Sequence, residues 1–298
     1  YAFCRGHQWR TAQLYAFEQR IGIYCRAQCA EDPRKQSHRL DQPVFALMIL
    51  SQSLSQFESM SIESLMDRAE LMDRTDRKFV FHRKLLSDIL NDCANEYRIL
   101  EMQGQRMFAY ETEYFDTPER LFYFQHHRGL GNRYKVRRRL YGGTGEEFIE
   151  VKHKTHKGNT QKLRVAGRTL STAELLLHEH IGPSVTNQLQ PSLLVQYTRI
   201  TLLHKQKNEK VTLDFGITWG SPSNEAGSGL SIPFDNLIIA EVKSTNLHFN
   251  TFQGIAKKLG IREGSLSKYC LGTLAVYPGI KQNQFKQTYK HILSIEHA

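Results

Sequence analysis

Within "NRYKVRRRLYGGTGEEFIEVKHK", Asn132 to Lys154, a period of two places Arg133, Lys135, Arg137 and Arg139 on one face. Beyond a glycine turn, Glu150, Lys152 and Lys154 share a face in the same way. Guanidinium and ammonium groups at alternate strand positions can grip anionic oxygens along a line of about 20 Å, at roughly 3.3 Å per residue. A single phosphate is far shorter than that. An ordinary half-exposed sheet with its polar face in water shows the same alternation, but two features set this stretch apart. Like charges on neighbouring strands destabilise a sheet, and pairing through the Gly142–Gly145 turn is expected to bring Arg137 and Arg139 near Lys152 and Lys154. Something anionic must then neutralise them. The basic alternation also recurs in separate segments, at Lys162 and Arg164, at Arg199 and at Lys243, so it belongs to a whole sheet.

A sheet curled with this face inward would gather the cations around one axis, in a low-dielectric space suited to a chain of phosphates. Val136, Leu140, Ile149, Val151, Leu213 and Phe215 would then face outward and need helices to cover them. Three carboxylates, Glu150, Asp214 and Glu241, fall among the inward positions. They are either hard oxygen ligands for Mg²⁺ or Mn²⁺ or ion-pair partners of the adjacent cations.

The elements that must hold these residues are mostly strands. "RTDRKFVF" (Arg74 to Phe81), "RMFAYETEYFDTPE", "RLFYFQHH", "TQKLRVAGRTL", "SLLVQYTRITLL", "KVTLDFGITW" and "NLIIAEVKS" read as strands, and "RGLGN" as a hairpin turn. An amphipathic helix carries Leu85, Leu86, Ile89, Leu90 and Cys93, another begins at a Ser171–Glu174 capping box, and the last is spaced Phe285, Tyr289, Ile292 and Leu293. Strands adjacent in sequence and joined by short turns predict an α+β fold with an antiparallel sheet. Residues 1–56 read as a poorly defined N-terminal extension and 57–298 as the folded unit.

Composition bounds the remaining classes. The chain has 298 residues and a formal net charge of +10, fitting a globular protein that meets an anion. Cys4, Cys25, Cys29, Cys93 and Cys270 form no CxxC pair, so neither a disulfide framework nor a zinc ribbon is expected, and the setting reads as the reducing cytoplasm. "VFALMIL" is far below the roughly 20 residues of a membrane span, so any link to a membrane would come through a partner protein. Walker A, G-x-S-x-G and HExxH signatures are absent from the sequence. Aromatic residues are not interleaved with the arginines at base-stacking spacing, which argues against nucleic acid. His126, His127, His153 and His156 read as loop or turn residues without a role.

In order, "RTDRKFVF", "YETEYFDTP", "HHRGLGNRYKVRRRLY", "FIEVKHKTHKGNTQKLR", "VQYTRITL", "VTLDFGI", "IIAEVKS" and "LSKYC" resemble the catalytic domain of vacuolar transporter chaperone (VTC) polyphosphate polymerases, especially its bacterial relatives. That family belongs to the triphosphate tunnel metalloenzymes, related to the CYTH enzymes. The resemblance covers about Phe57 to Cys270. It implies a closed antiparallel β-barrel, the triphosphate tunnel, with covering helices, a divalent Mn²⁺ or Mg²⁺ ion, and ATP and polyphosphate as ligands. By motif it carries phosphate-binding roles to Lys78, Arg137, Arg139, Lys152, Lys162, Arg199 and Lys268, and the metal to Glu241. Arg133, Lys135, Lys154, Arg164 and Lys243 share the faces without so direct a match. The ExExK signature of CYTH relatives is absent, and Leu130 stands where bacterial relatives often carry a lysine. The implied activity is polyphosphate synthesis from the γ-phosphate of ATP. A triphosphatase, polyphosphatase or nucleoside triphosphatase would use the same tunnel, and a non-catalytic polyphosphate-binding module is the third reading.

Overall fold

The basic segments fold as two antiparallel strands joined by a tight turn, as their alternation predicts. Gly142 is needed at that turn, because a Cβ there would lie 2.4 Å from the carbonyl oxygen of Ala109 on the next strand. The structure, a computed structural model, describes residues 42–67, 75–222, 229–246 and 249–298. As far as residue 41, the expected N-terminal extension lies outside them.

The described chain begins with α1 (Gln42–Ser55), β1 (Glu58–Met60) and α2 (Ile62–Asp67), then β2 (Thr75–His82), α3 (Leu86–Ala94) and β3 (Tyr97–Leu100). Next come β4 (Phe108–Asp116), α4 (Leu121–His127), β5 (Arg133–Tyr141), β6 (Glu146–Lys154), β7 (Thr160–Ala166), α5 (Glu174–Ile181) and α6 (Pro183–Thr186). The long strands β8 (Gln190–His204) and β9 (Glu209–Gly220) precede β10 (Ser231–Phe234) and β11 (Leu237–Ser244), and α7 (Thr251–Lys258), α8 (Lys268–Val276) and α9 (Lys286–Glu296) follow. No described helix is long and apolar enough to cross a membrane.

The strands form one sheet in the order β2-β11-β9-β8-β4-β5-β6-β7, antiparallel along that path. It curls until Lys78 of β2 and Lys152, Lys154 and Thr160 of β6 and β7 line the same cavity. The α+β class and the curl agree with the sequence, but the barrel is not closed, since β2 and β7 do not pair. The cause lies at the β2 edge. The amide of Gly264 donates to the Lys78 carbonyl at 2.8 Å, and Phe79 and Glu263 form an antiparallel bridge, so the segment before α8 occupies the hydrogen bonds that closure would require.

The convex face is covered as its apolar pattern demands. Leu213 and Phe215 pack with Ile200, Leu202 and Val211 beneath Ile89 and Leu90 of α3, Phe252 of α7 and Leu54 of α1. Val136, Ile149 and Val151 lie beneath Phe122 of α4 and Leu177 of α5, and Leu140 is half-buried. Each fully buried aliphatic or aromatic side chain contributes on the order of 1.5–3 kcal/mol.

The alternation of β9 does not run through as the sequence suggests. Gln196 faces Thr218 and Thr198 faces Phe215, so two residues of β9 oppose Tyr197 alone. Gly216, at φ +57°, takes the left-handed conformation of this bulge. The bulge turns Ile217 and Trp219 onto the concave side, where they join Leu193, Val195 and Tyr197 against Tyr269, Leu271 and Leu274 of α8. One end of the curled sheet is thereby filled by a helix.

"RLFYFQHH" is α4, not a strand. Its aromatic residues favour strands, but the Asp116 carboxylate accepts from Thr117 N (2.8 Å), Phe122 N (2.8 Å) and Tyr123 N (3.0 Å), holding the otherwise unpaired donors of a first turn. Tyr269 of α8 donates its hydroxyl to the same carboxylate. The Ser171–Glu174 box is also not made: Ser171 Oγ bonds Thr169 Oγ1 and α5 begins at Glu174 without a side-chain cap. Asp116→Ala removes all four hydrogen bonds and should lower the unfolding free energy by about 2–4 kcal/mol. Urea denaturation measures this, and a loss below about 0.5 kcal/mol, the scatter of neutral surface changes, would show that α4 and α8 are held otherwise.

Candidate active site

Strand register decides which charges meet. Arg137 faces Glu150, Lys135 faces Lys152 and Arg133 faces Lys154, so the expected approach of Arg137 and Arg139 to Lys152 and Lys154 does not occur. Glu150 is 1% exposed and is the hub of one interior cluster. Its Oε2 receives Arg137 Nη2 at 2.5 Å and lies 3.7 Å from Arg139 Nη1, while Oε1 takes Lys162 Nζ at 3.0 Å and the Tyr141 hydroxyl at 3.0 Å. Burial pushes its carboxyl pKa up, but Arg137, Arg139 and Lys162 outweigh that and hold it well below the usual range.

Asp214, 0% exposed, is the second hub. Arg199 grips it with two bonds, Nε to Oδ1 at 2.5 Å and Nη2 to Oδ2 at 2.8 Å, and Lys268 bonds Oδ2 as well. Its carboxyl is also lowered, burial being outweighed by Arg199 and Lys268. The Arg199 guanidinium carbon lies 4.9 Å from the Tyr110 ring centroid and 5.2 Å from that of Tyr197, and Lys268 Nζ lies 4.8 Å from Tyr197. Lys243 pairs with Glu241 at 3.0 Å.

The cations without such partners among the described residues sit together. A cavity of about 410 Å³ between β2 and the β5–β7 wing is lined by Lys78, Arg133, Lys135, Lys152 and Lys154, with His126 of α4 and Asp76, and roofed by Ser265, Leu266 and Ser267. Lys78 Nζ donates to the Leu266 carbonyl at 2.8 Å and Lys135 Nζ to Ser267 Oγ at 3.0 Å. Ser267 caps α8, whose positive end therefore meets the same space. Burial, followed by Lys135, Arg133, Lys152 and Lys78, drives the His126 imidazole pKa down to about 2, so the ring is neutral here. A concave site of this charge favours an extended anion with several oxygens.

The family model of the VTC domain matches residues 73–277. The chain belongs to the VTC domain family. No curated protein matches it. Among solved structures, a putative adenylyl cyclase from Hippeastrum, described as having a dominant triphosphatase activity, is 12% identical at a TM-score of 0.46, over 70% of this chain and 99% of that one. A putative adenylate cyclase from Bacillus halodurans is 15% identical at a TM-score of 0.44, over 70% of this chain and 100% of that one. A third, from Vibrio parahaemolyticus, is 13% identical at 0.40, over 66% and 97%.

In this VTC domain the positions singled out in the sequence separate into groups. Lys78, Arg133, Lys135, Lys152 and Lys154 line the cavity. Arg137, Arg139 and Lys162 gather on Glu150, Arg199 and Lys268 on Asp214, and Lys243 on Glu241. Arg164, on the edge strand β7, is exposed and lies over the Phe148 ring, 4.8 Å from its centroid. His126, read as a residue without a role, lines the cavity, and Tyr110, Tyr141 and Tyr197 stand among the interior cations. Their parity was the available signal, because Tyr110 shares the face of Thr112 and Tyr197 lies two residues before Arg199.

No set of three His, Cys, Asp or Glu side chains among the described residues could hold a metal. Glu150 and Asp214 have both oxygens engaged by hydrogen-bond donors and fit a metal poorly. Glu241 is 23% exposed at its side chain and makes one ion pair among the described residues. Burial raises its carboxyl pKa, but Lys243, Lys78, Arg199 and Lys268 hold it well below the usual range, so it is an anionic oxygen donor that fits Mg²⁺ or Mn²⁺ sharing its remaining sites with ligand oxygens and water. Glu150→Gln should cost about 3–5 kcal/mol at pH 7, because it leaves buried guanidinium groups unanswered. The folded carboxyl titrates below its unfolded value of about 4.3, so its stabilisation is present above that pH and is lost as pH falls toward the folded value. Urea melts should show the gap between wild type and variant narrowing below about pH 4; a gap that ignores pH would contradict the charge assignment.

Proposed function

We propose that this VTC domain is a metal-dependent phosphotransferase that builds inorganic polyphosphate from the γ-phosphate of ATP. The observation that carries the reading is the charge of the cavity, where Lys78, Arg133, Lys135, Lys152 and Lys154 face Asp76, the one acid of the lining among the described residues. Behind it lie Arg137, Arg139 and Lys162 on Glu150, and Arg199 and Lys268 on Asp214. The cavity cations hold the phosphate chain, and the interior guanidinium groups, kept in fixed rotamers by the two carboxylates, receive the γ-phosphate. In the transfer, the bond from the γ-phosphorus to the ADP oxygen breaks and a bond to a terminal oxygen of the chain forms, releasing ADP. Positioning and charge stabilisation suffice, so no nucleophilic side chain is required. Glu241 would hold a Mn²⁺ or Mg²⁺ ion, which would supply positive charge to the triphosphate oxygens. With water as acceptor in place of the chain end, the same groups would act as a triphosphatase.

Incubation with ATP and Mn²⁺ should yield ADP and a chain of phosphates resolvable by gel electrophoresis. Arg199→Ala should lower kcat/KM for ATP about 100-fold or more, and Glu241→Gln should weaken the response to added Mn²⁺. Free phosphate without polymer would assign a hydrolase, and neither product would refute the reading of the site.

A further inference from the structure

Lys135, Lys152 and Lys162 stand opposite one another across β5, β6 and β7. A row of three ammonium groups is costly unless each is answered. Lys162 has Glu150 at 3.0 Å, and at Lys152 burial lowers the amine while Asp76 and Glu241 oppose it. Lys135 differs. Its one hydrogen bond among the described residues is to Ser267 Oγ, and Ser267 in turn accepts from the Cys270 amide at the start of α8. The amine therefore lies at the positive end of a helix. Around it stand Lys78 and Asp76 from β2, His126 from α4, Arg133 and Arg137 from β5, Lys152 and Lys154 from β6 and the Cys270 thiol from α8.

We propose that Lys135 is the proton-accepting residue of the cavity, so that seating a phosphate chain there takes up a proton from solution. This rests on the reading of the cavity as a phosphate-chain site. Burial, opposed in part by Cys270 and reinforced by the charges of Lys78, Lys152 and Arg137, brings the amine down to about 7. Anionic oxygens placed in the cavity reverse the sign of the local field and return the amine to its ammonium form. The balance is simple: the free amine and one proton give an ammonium that donates to the anion, with no other bond made or broken. His126 is the rival acceptor, but at about 2 it lies much further from working pH. Burial pushes the Cys270 thiol up, so it keeps its proton and releases none.

The test is calorimetric titration with medium-chain inorganic polyphosphate, without nucleotide or metal, in two buffers of different ionisation heat. At pH 8 an amine titrating at about 7 is mostly neutral, so uptake should be about 0.9 proton per site, falling to about 0.1 at pH 6. Lys135→Arg, whose charge is fixed, should bind with uptake near zero, and His126→Asn should keep it. Lys135→Met provides the same contrast where a guanidinium does not fit. Binding without uptake in the wild type, or uptake that survives both Lys135 variants, overturns the proposal and leaves the phosphate-chain reading intact. Absence of binding overturns both.

Discussion

Buried positive charge has to be answered, and the inner face of this sheet carries more cations than carboxylates. Glu150 and Asp214 take the deepest of them, Arg137 and Arg139 on one, with the more exposed Lys162 beside them, and Arg199 and Lys268 on the other. Removing either acid would strand several charges in a low-dielectric space, whereas removing one cation would leave the others paired. The two carboxylates are therefore structural elements as much as any core residue. They also bind together strands distant in sequence, since Lys268 enters from a helix and Asp214 from β9.

The remaining cations fall where the sheet fails to close. Lys78 of β2 and Lys152 and Lys154 of β6 line one cavity there, and like charges brought closer, to strand-to-strand distance, destabilise pairing. The segment at Glu263 and Gly264 instead satisfies the edge of β2, continues through Ser267 into α8 and so roofs the gap. Asp116 stabilises the same arrangement from the other side by holding the first turn of α4 and the hydroxyl of Tyr269 together.

Period-two alternation made the faces of β5 and β6 legible, and with them the inward charges and the outward Val136, Ile149 and Val151. Register was not legible in the same way. It depends on where the turn begins, and the difference between Arg137 facing Glu150 and facing Lys152 is a shift of two residues that preserves every face. The α4 segment failed for another reason. Its Phe and Tyr content favours a strand, and the deciding contact, Asp116 to two amides of the first turn, involves a residue that a turn at Thr117 and Pro118 already explained. The bulge at Gly216 moved Trp219 across the sheet with no signal beyond a glycine in a strand. Barrel closure depended on what occupied an edge, a tertiary fact to which no local pattern points.

The contrast between paired and unpaired cations also bears on how a ligand would enter. At the cavity, phosphate oxygens would meet ammonium groups held by neutral acceptors such as Ser267 Oγ and the Leu266 carbonyl, so little protein bonding is surrendered. Further in, each guanidinium already has a carboxylate, and an incoming phosphate either shares it, using donor hydrogens that Glu150 and Asp214 leave over, or displaces it. Arg has five donors in a planar fork, and a bidentate carboxylate uses two of them, so three donors remain for sharing at Arg199. The internal acids then act less as competitors than as clamps: they fix guanidinium orientation before the ligand arrives and lower the reorganisation that phosphoryl transfer would otherwise demand.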